Sequence, residues 1–144
     1  MKKVIGISIV ILLLVTFWYY RSQPLGSFIR INGHALQLEL AITSEEKERG
    51  LGYRDVLPEN HGMLFVFDHK DRYPFWMKGM RFPIDIIWID DTTVVDVREN
   101  VPVATEGAYP SYQPTVPVNK VLEVNAGVVK TLGISVGNSV EILD

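Results

Sequence analysis

The stretch Phe28-Ile29-Arg30-Ile31-Asn32-Gly33-His34-Ala35-Leu36-Gln37-Leu38-Glu39-Leu40 decides the fold class of this chain. Asn-Gly at 32–33 supplies the two positive φ angles of a type I′ turn, whose twist suits two antiparallel strands. Beyond the turn, Leu36, Leu38 and Leu40 alternate with polar neighbours, the period of a strand with one buried face. The pattern predicts a β-hairpin.

Toward the C-terminus, Thr43-Ser44-Glu45-Glu46 has the form of a capping box, with Thr43 as cap and Glu46 three residues on. It predicts a short helix that stops at Gly50, on which Glu45 and Arg49 are spaced to pair weakly. Met63 to Phe67 is a continuous apolar run, Asp68 to Arg72 reads as a polar turn, and Pro74 to Met77 begins the return. Ile84 to Ile89 is a second apolar run, interrupted only by Asp85, and Asp90-Asp91-Thr92 turns it into the alternating strand Val94–Arg98. Val101 to Val118 holds Pro102, Pro110, Pro114 and Pro117 with Tyr109 and Tyr112 between them, the composition of a long loop. Val121–Val124 and Ser139–Leu143 supply closing strands, and Val128–Leu132 can make one helical turn before Gly133. Many short strands with one short helix at one end predict a mainly β domain, a compact sandwich or barrel.

Upstream, Lys2 and Lys3 precede the uncharged run Val4–Tyr20, which ends in Phe17-Trp18-Tyr19-Tyr20. As a helix this run spans roughly 25 Å, close to the hydrocarbon thickness of a bilayer. The lysines favour a cytoplasmic N-terminus and the aromatic cluster suits the opposite interface. The run is apolar all round, unlike a buried amphipathic helix. An uncleaved transmembrane anchor is therefore expected, with the remainder on the extracytoplasmic side. A cleaved signal peptide is the alternative, although Arg21-Ser22-Gln23-Pro24 offers no small-x-small cleavage site. The expected organisation is an anchor or signal peptide over 1–21, a tether over 22–27 containing Pro24 and Gly26, and a single β-rich domain over 28–144.

All 17 acidic residues lie beyond Tyr20, with 12 of the 14 basic ones, so that part carries 12 − 17 = −5. This balance argues against nucleic acid or anionic lipid as a partner of the domain. The absence of cysteine excludes disulfides, lipoprotein attachment and thiol catalysis. His34, His61 and His69 lack metal-ligand spacing, and the chain carries no phosphate loop or dinucleotide fingerprint, so neither metal nor cofactor is expected.

Three stretches combine polar and aromatic groups. In Glu48-Arg49-Gly50-Leu51-Gly52-Tyr53-Arg54, Arg49 and Arg54 can present donors to a carboxylate, phosphate or sugar, or Arg49 can simply answer the helix dipole. In the second, Trp76 offers an apolar platform with Lys78 near it, and Asp85 lies in an Ile-Asp-Ile-Ile run that predicts burial. A buried carboxylate needs a partner, for which Arg49, Arg54 and Lys78 are the available cations. Asp85 is then either half of a structural ion pair that fixes strand register or a site carboxylate. In the third, Glu123-Val124-Asn125, alternation places Glu123 and Asn125 on one face, where Glu123 could join Asp85 as an acid/base pair and Asn125 reads equally well as a turn residue.

The phrases Glu48-Arg49-Gly50-Leu51, Leu57-Pro58, Gly62 to Phe67, Phe75-Trp76-Met77-Lys78, Pro83 to Ile87, Val121 to Gly127 and Gly133-Ile134 occur here in one order. In this the chain resembles the domain-of-unknown-function family 192 of small bacterial and archaeal proteins, over about residues 30 to 143. It departs from the family pattern at Gly52, usually methionine, at Gly79-Met80, usually Asn-Thr, and at Asn138, usually aspartate. The resemblance implies a jelly-roll-like fold, often behind a signal peptide or anchor, and implies no activity. Three functions stay open. The first is a binding module for a small polar ligand or envelope component, built on Arg49, Arg54, Trp76, Lys78, Asp85, Glu123 and Asn125. The second is a hydrolase using Asp85 and Glu123, and the third a structural accessory of an envelope complex contacted through the proline-rich loop.

Overall fold

The computed structural model describes residues 27–105 and 107–143. The proposed anchor over 1–21 and most of the tether lie outside them. Among the described residues no helix is long and apolar enough to cross a membrane.

The domain is mainly β. Strands β1 (Phe28–Ile31) and β2 (His34–Ala41) form the expected hairpin, Asn32 and Gly33 having φ of 50° and 81°. The other elements are α1 (Ser44–Arg49), β3 (His61–Asp71), β4 (Phe75–Trp76), β5 (Ile84–Asp90), β6 (Thr93–Val101), β7 (Ser111–Tyr112), β8 (Val118–Asn125), α2 (Val128–Leu132) and β9 (Val140–Leu143). Seven strands make one sheet in the order β6-β5-β8-β3-β2-β1-β9, and β4 pairs with β7 in a separate two-stranded ribbon. Neighbours in the large sheet run antiparallel except β2 and β3, which are parallel and joined through α1.

The sheet curls until its two edges meet at one end. Val94 N–H donates to Asn138 O (2.9 Å), Gly137 N–H to Val94 O (2.8 Å) and Val140 N–H to Thr92 O (2.8 Å), joining β6 to the chain entering β9. Inside the curl, Ile29, Leu36, Leu64, Ile87, Leu122 and Val140 pack together, with Val129 of α2 closing the end. The outer face of β3, β8 and β5 carries a second core, including Met63, Phe65, Ile86, Trp88 and Val121, covered by Leu51, Leu57, Phe75 and Met77. A strand covered on both faces cannot alternate. This is why β5 reads Ile-Asp-Ile-Ile-Trp-Ile, with every one of these residues buried.

Several expectations change. In place of two stacked sheets, the expected sandwich or jelly-roll-like barrel is a mainly β, half-barrel sheet curled on itself, with a ribbon against its outer face. Among the described residues there are two short helices, the second being the helical turn expected before Gly133. Asp68 to Asp71 continue β3 instead of turning, and Phe75-Trp76 return to pair with β7, from within the proline-rich stretch, instead of with β3. Leu36 and Leu38 are buried as the alternation required, but Leu40 is exposed near the end of β2.

Candidate functional site

The site is assembled from two turns and the outer face of the sheet. The capping box fixes the start of α1: Thr43 N–H and Ile42 N–H both donate to Glu46 Oε2 (2.9 Å each), and Glu46 N–H donates to Thr43 Oγ1 (3.2 Å). The backbone donors of Thr43 and Ile42 hold the Glu46 carboxyl below its ordinary pKa. The helix ends at Gly50, whose φ of 49° and ψ of −136° suit only glycine. A Cβ there would lie 3.2 Å from Phe65 Cζ and 3.7 Å from Glu123 Oε2, so the bare backbone passes directly over both side chains.

A second turn, Met77 to Met80, is stapled to the first: Tyr53 N–H donates to Gly79 O (2.7 Å), and the Tyr53 ring packs so close to Gly79 that a Cβ would meet it at 2.9 Å. A Cβ on Gly52 would meet Arg49 O at 2.8 Å and Lys78 O at 3.3 Å. Glycines at 52 and 79 are what allow the two turns to close on each other. Arg49 and Lys78 thereby share one rim.

Between the turns and the sheet lies a cleft of about 250 Å³. Its walls are aromatic. Phe67 and Tyr73 stack with centroids 3.6 Å apart, and Phe65 meets Phe75 edge to face at 5.0 Å. Trp76, half exposed, also lines an adjoining depression of about 310 Å³ that shares Glu48, Arg49 and Lys78 and adds Glu45 and Tyr53. Lys47, Glu48, Arg49 and Lys78 line the cleft, and Lys47 Nζ lies 4.8 Å from the Phe67 centroid. Neither Arg49 nor Lys78 has an ion-pair partner among the described residues, so the expected Glu45–Arg49 pair is not formed.

Glu123 closes the floor. Strand pairing sets Met63, Glu123 and Ile86 side by side on β3, β8 and β5, so the carboxyl emerges from a central strand between two apolar neighbours. It is 5% exposed, its Oε2 has no hydrogen-bond partner among the described residues, and burial pushes its pKa up to about 8. At neutral pH it is mostly the uncharged acid.

The cleft thus gathers Arg49, Trp76, Lys78 and Glu123 of the seven candidates. The other three lie elsewhere, each for a local reason. Arg54 pairs with Glu39 of β2 (2.8 Å), pinning the first turn to the sheet. Asn125 Nδ2 donates to Leu57 O (2.9 Å) and holds the segment before β3. Asp85 has no ion-pair partner among the described residues. Its Oδ1 accepts from Asn100 N–H (2.7 Å) and its Oδ2 from Val129 N–H (2.9 Å), while the residue is fully buried. Neither Arg49 nor Lys78 is its partner, because backbone amides supply the compensation that burial demands. Asp85 also pairs across from Val124 and Glu123 from Ile86, so the two carboxylates face opposite sides of the sheet. They cannot act as an acid/base pair. Phe65, Phe67, Tyr73, Phe75 and Gly50 belong to the cleft too. In sequence they look like core or turn residues, and only the pairing of β3 with β8 shows that Phe65 shares a face with Glu123.

A curled, mainly β domain with an aromatic cleft on its outer face, and no cluster of metal-ligating side chains among the described residues, is the class of protein defined here. The chain belongs to the family DUF192, described as an uncharacterized ACR, whose profile matches residues 27–142. It is similar to two solved structures. One, from Sinorhizobium meliloti 1021, is a provisionally assigned transcription regulator, 38% identical over 80% of this chain and 92% of that one, with a TM-score of 0.71. The other, from Novosphingobium aromaticivorans DSM 12444, is a protein of unknown function, 32% identical over 79% and 83%, with a TM-score of 0.72. The comparison with curated proteins gives no match.

Proposed function

We propose that the domain is a binding module for a small polar ligand, held at the outer surface of a membrane by the segment 4–20. One observation carries this reading: a buried carboxyl without a hydrogen-bond partner forms the floor of an aromatic cleft whose rim holds unpaired cations. Burying such a group costs stability unless something compensates it, and a ligand that supplies the missing hydrogen bond is that compensation. Half-exposed Trp76 adds a flat apolar surface at the mouth, a frequent feature of ligand pockets. The uncharged run with its flanking Lys2 and Lys3 supports the tethering. The name of the Sinorhizobium relative suggests gene regulation, but a surplus of 12 − 17 = −5 beyond Tyr20 disfavours contact with DNA. A second reading, docking of an envelope protein, draws on the exposed Val103, Tyr109 and Val116 of the proline-rich stretch.

Thermal-shift screening of the full chain in detergent micelles against sugars, amino acids and phosphorylated compounds tests the proposal. A ligand at a hundred times its Kd adds about 2.7 kcal/mol, enough for a clear rise in Tm. The rise is expected to vanish in Trp76→Ala. No shift with any compound, or a shift that survives Trp76→Ala, removes the cleft as the site.

A further inference from the structure

On the reading that this cleft holds a small polar ligand, its arrangement of charge defines what kind. The walls are aromatic, and aromatic rings attract cations; Lys47 Nζ, 4.8 Å from the Phe67 centroid, already makes such a contact at the rim. The floor is Glu123, whose Oε2 lacks a donor. A quaternary ammonium has no hydrogen to give it, whereas a primary ammonium gives three together with a charge. The mouth is the reverse. Lys47, Arg49 and Lys78 outnumber Glu45 and Glu48 along the cleft and its adjoining depression, so a plain monocation meets a net repelling entrance. Only a ligand that carries its own anion suits both ends.

We propose that the cleft takes a short zwitterion, a primary ammonium at one end entering against Glu123 and a carboxylate or phosphate at the other lying between Arg49 and Lys78. Size agrees. At about 30 Å³ for each water-sized group, a cleft of about 250 Å³ holds a chain of roughly eight to ten non-hydrogen atoms. Binding also moves a proton. The buried acid gives its proton to solvent as the ammonium arrives, so that –COOH and R–NH3⁺ become –COO⁻ paired with R–NH3⁺, plus one H⁺. The titratable groups lining the cleft beside Glu123 are Lys47, Glu48 and Arg49 of α1, Tyr73 before β4 and Lys78 after it. Burial holds the Tyr73 hydroxyl above the ordinary phenol range, so it stays neutral throughout.

The test is calorimetric titration of the full chain in detergent micelles at pH 7, in two buffers of different ionisation enthalpy. The probes are 6-aminohexanoate, O-phosphoethanolamine, hexylammonium, hexanoate and glucuronate. One of the two zwitterions is expected to bind at least tenfold tighter than either single-charge probe, releasing close to one proton, and which one binds tells carboxylate from phosphate as the outer group. Glu123→Gln, checked for folding by circular dichroism, should weaken that zwitterion at least tenfold and abolish proton release. Arg49→Ala, on an exposed position, should weaken it while leaving proton release intact. Zwitterion binding without proton release, or unchanged in Glu123→Gln, overturns the inference. Binding of glucuronate alone, lost in Trp76→Ala, overturns it but keeps the cleft as a ligand site. If no probe binds, the zwitterion inference falls, and the thermal-shift screen alone decides whether the cleft binds another ligand.

Discussion

Glu123 is the residue whose environment is most at odds with its chemistry. Met63 and Ile86 flank it across the sheet, Phe65 stands diagonally beside it on β3, Gly50 passes over it, and its folded-state pKa is about 8 against 4.5 for the ordinary acid. Below pH 4.5 both the folded and the unfolded chain hold this proton and the group costs nothing extra. As pH rises from there the unfolded chain ionises first, so stability falls until about pH 8, where the folded acid ionises as well. The loss over that window is on the order of 4–5 kcal/mol. Glu123→Gln keeps the shape and removes the titration. Its stability should match wild type near pH 4 and exceed it by a few kcal/mol near pH 8, a sign expected of a residue retained for function at the expense of stability. Urea unfolding of both proteins at the two pH values gives the comparison directly, and parallel pH profiles would show that the carboxyl is not buried as described. The sequence hinted at none of this strain: Glu123 sits in an alternating strand, and its alternation alone would have placed it toward solvent.

At the scale of elements, Asp85 holds three pieces together. It lies where the β5–β6 register slips between Ile84 and Ile86, opposite a bulge in which Asn100 takes a φ of 52°. One oxygen binds the amide of that bulged residue and the other the amide of Val129 in the first turn of α2, capping a helix whose own cap position, Gly127, has no side chain to do so. Asp85→Asn puts an N–H where one of these amides needs an acceptor. It should cost about 2–3 kcal/mol, since hydrogen bonds to a charged acceptor are worth roughly 1.5–3 each. Denaturant unfolding at pH 7 measures it, and a loss under about 1 kcal/mol would mean that the bulge and helix stand without the carboxylate. The contrast with the expected ion pair shows where sequence stops. Burial was legible from Ile84, Ile86 and Ile87, because apolar flanks on both sides leave a strand residue no route to water. The partner was not, because it depends on a bulge in β6 and on α2 swinging back over the sheet. The Asn32-Gly33 turn and the Thr43–Glu46 box were legible for the opposite reason: each closes within a few residues and needs no distant partner. The cleft falls between these cases, its rim residues visible as isolated cations and an isolated tryptophan, its walls hidden among core aromatics.

For the whole molecule, the described domain begins where Ser27 O accepts from Leu38 N–H (2.7 Å), which fixes the point at which the chain joins the sheet. Residues 22–27 can span at most roughly 20 Å when extended, so if the run 4–20 is a retained anchor, the domain works within a short distance of the bilayer. The absence of a small-x-small site at Arg21-Ser22-Gln23-Pro24 removes the usual route to a secreted domain. Retention of the anchor is therefore the expected outcome. Membranes washed with alkaline carbonate should keep the protein, and mass spectrometry of the detergent extract should find its N-terminus at Met1 or Lys2. Release into the wash, with a mature chain beginning between Ser22 and Phe28, would show a signal peptide instead and leave the domain to find its ligand free of the membrane.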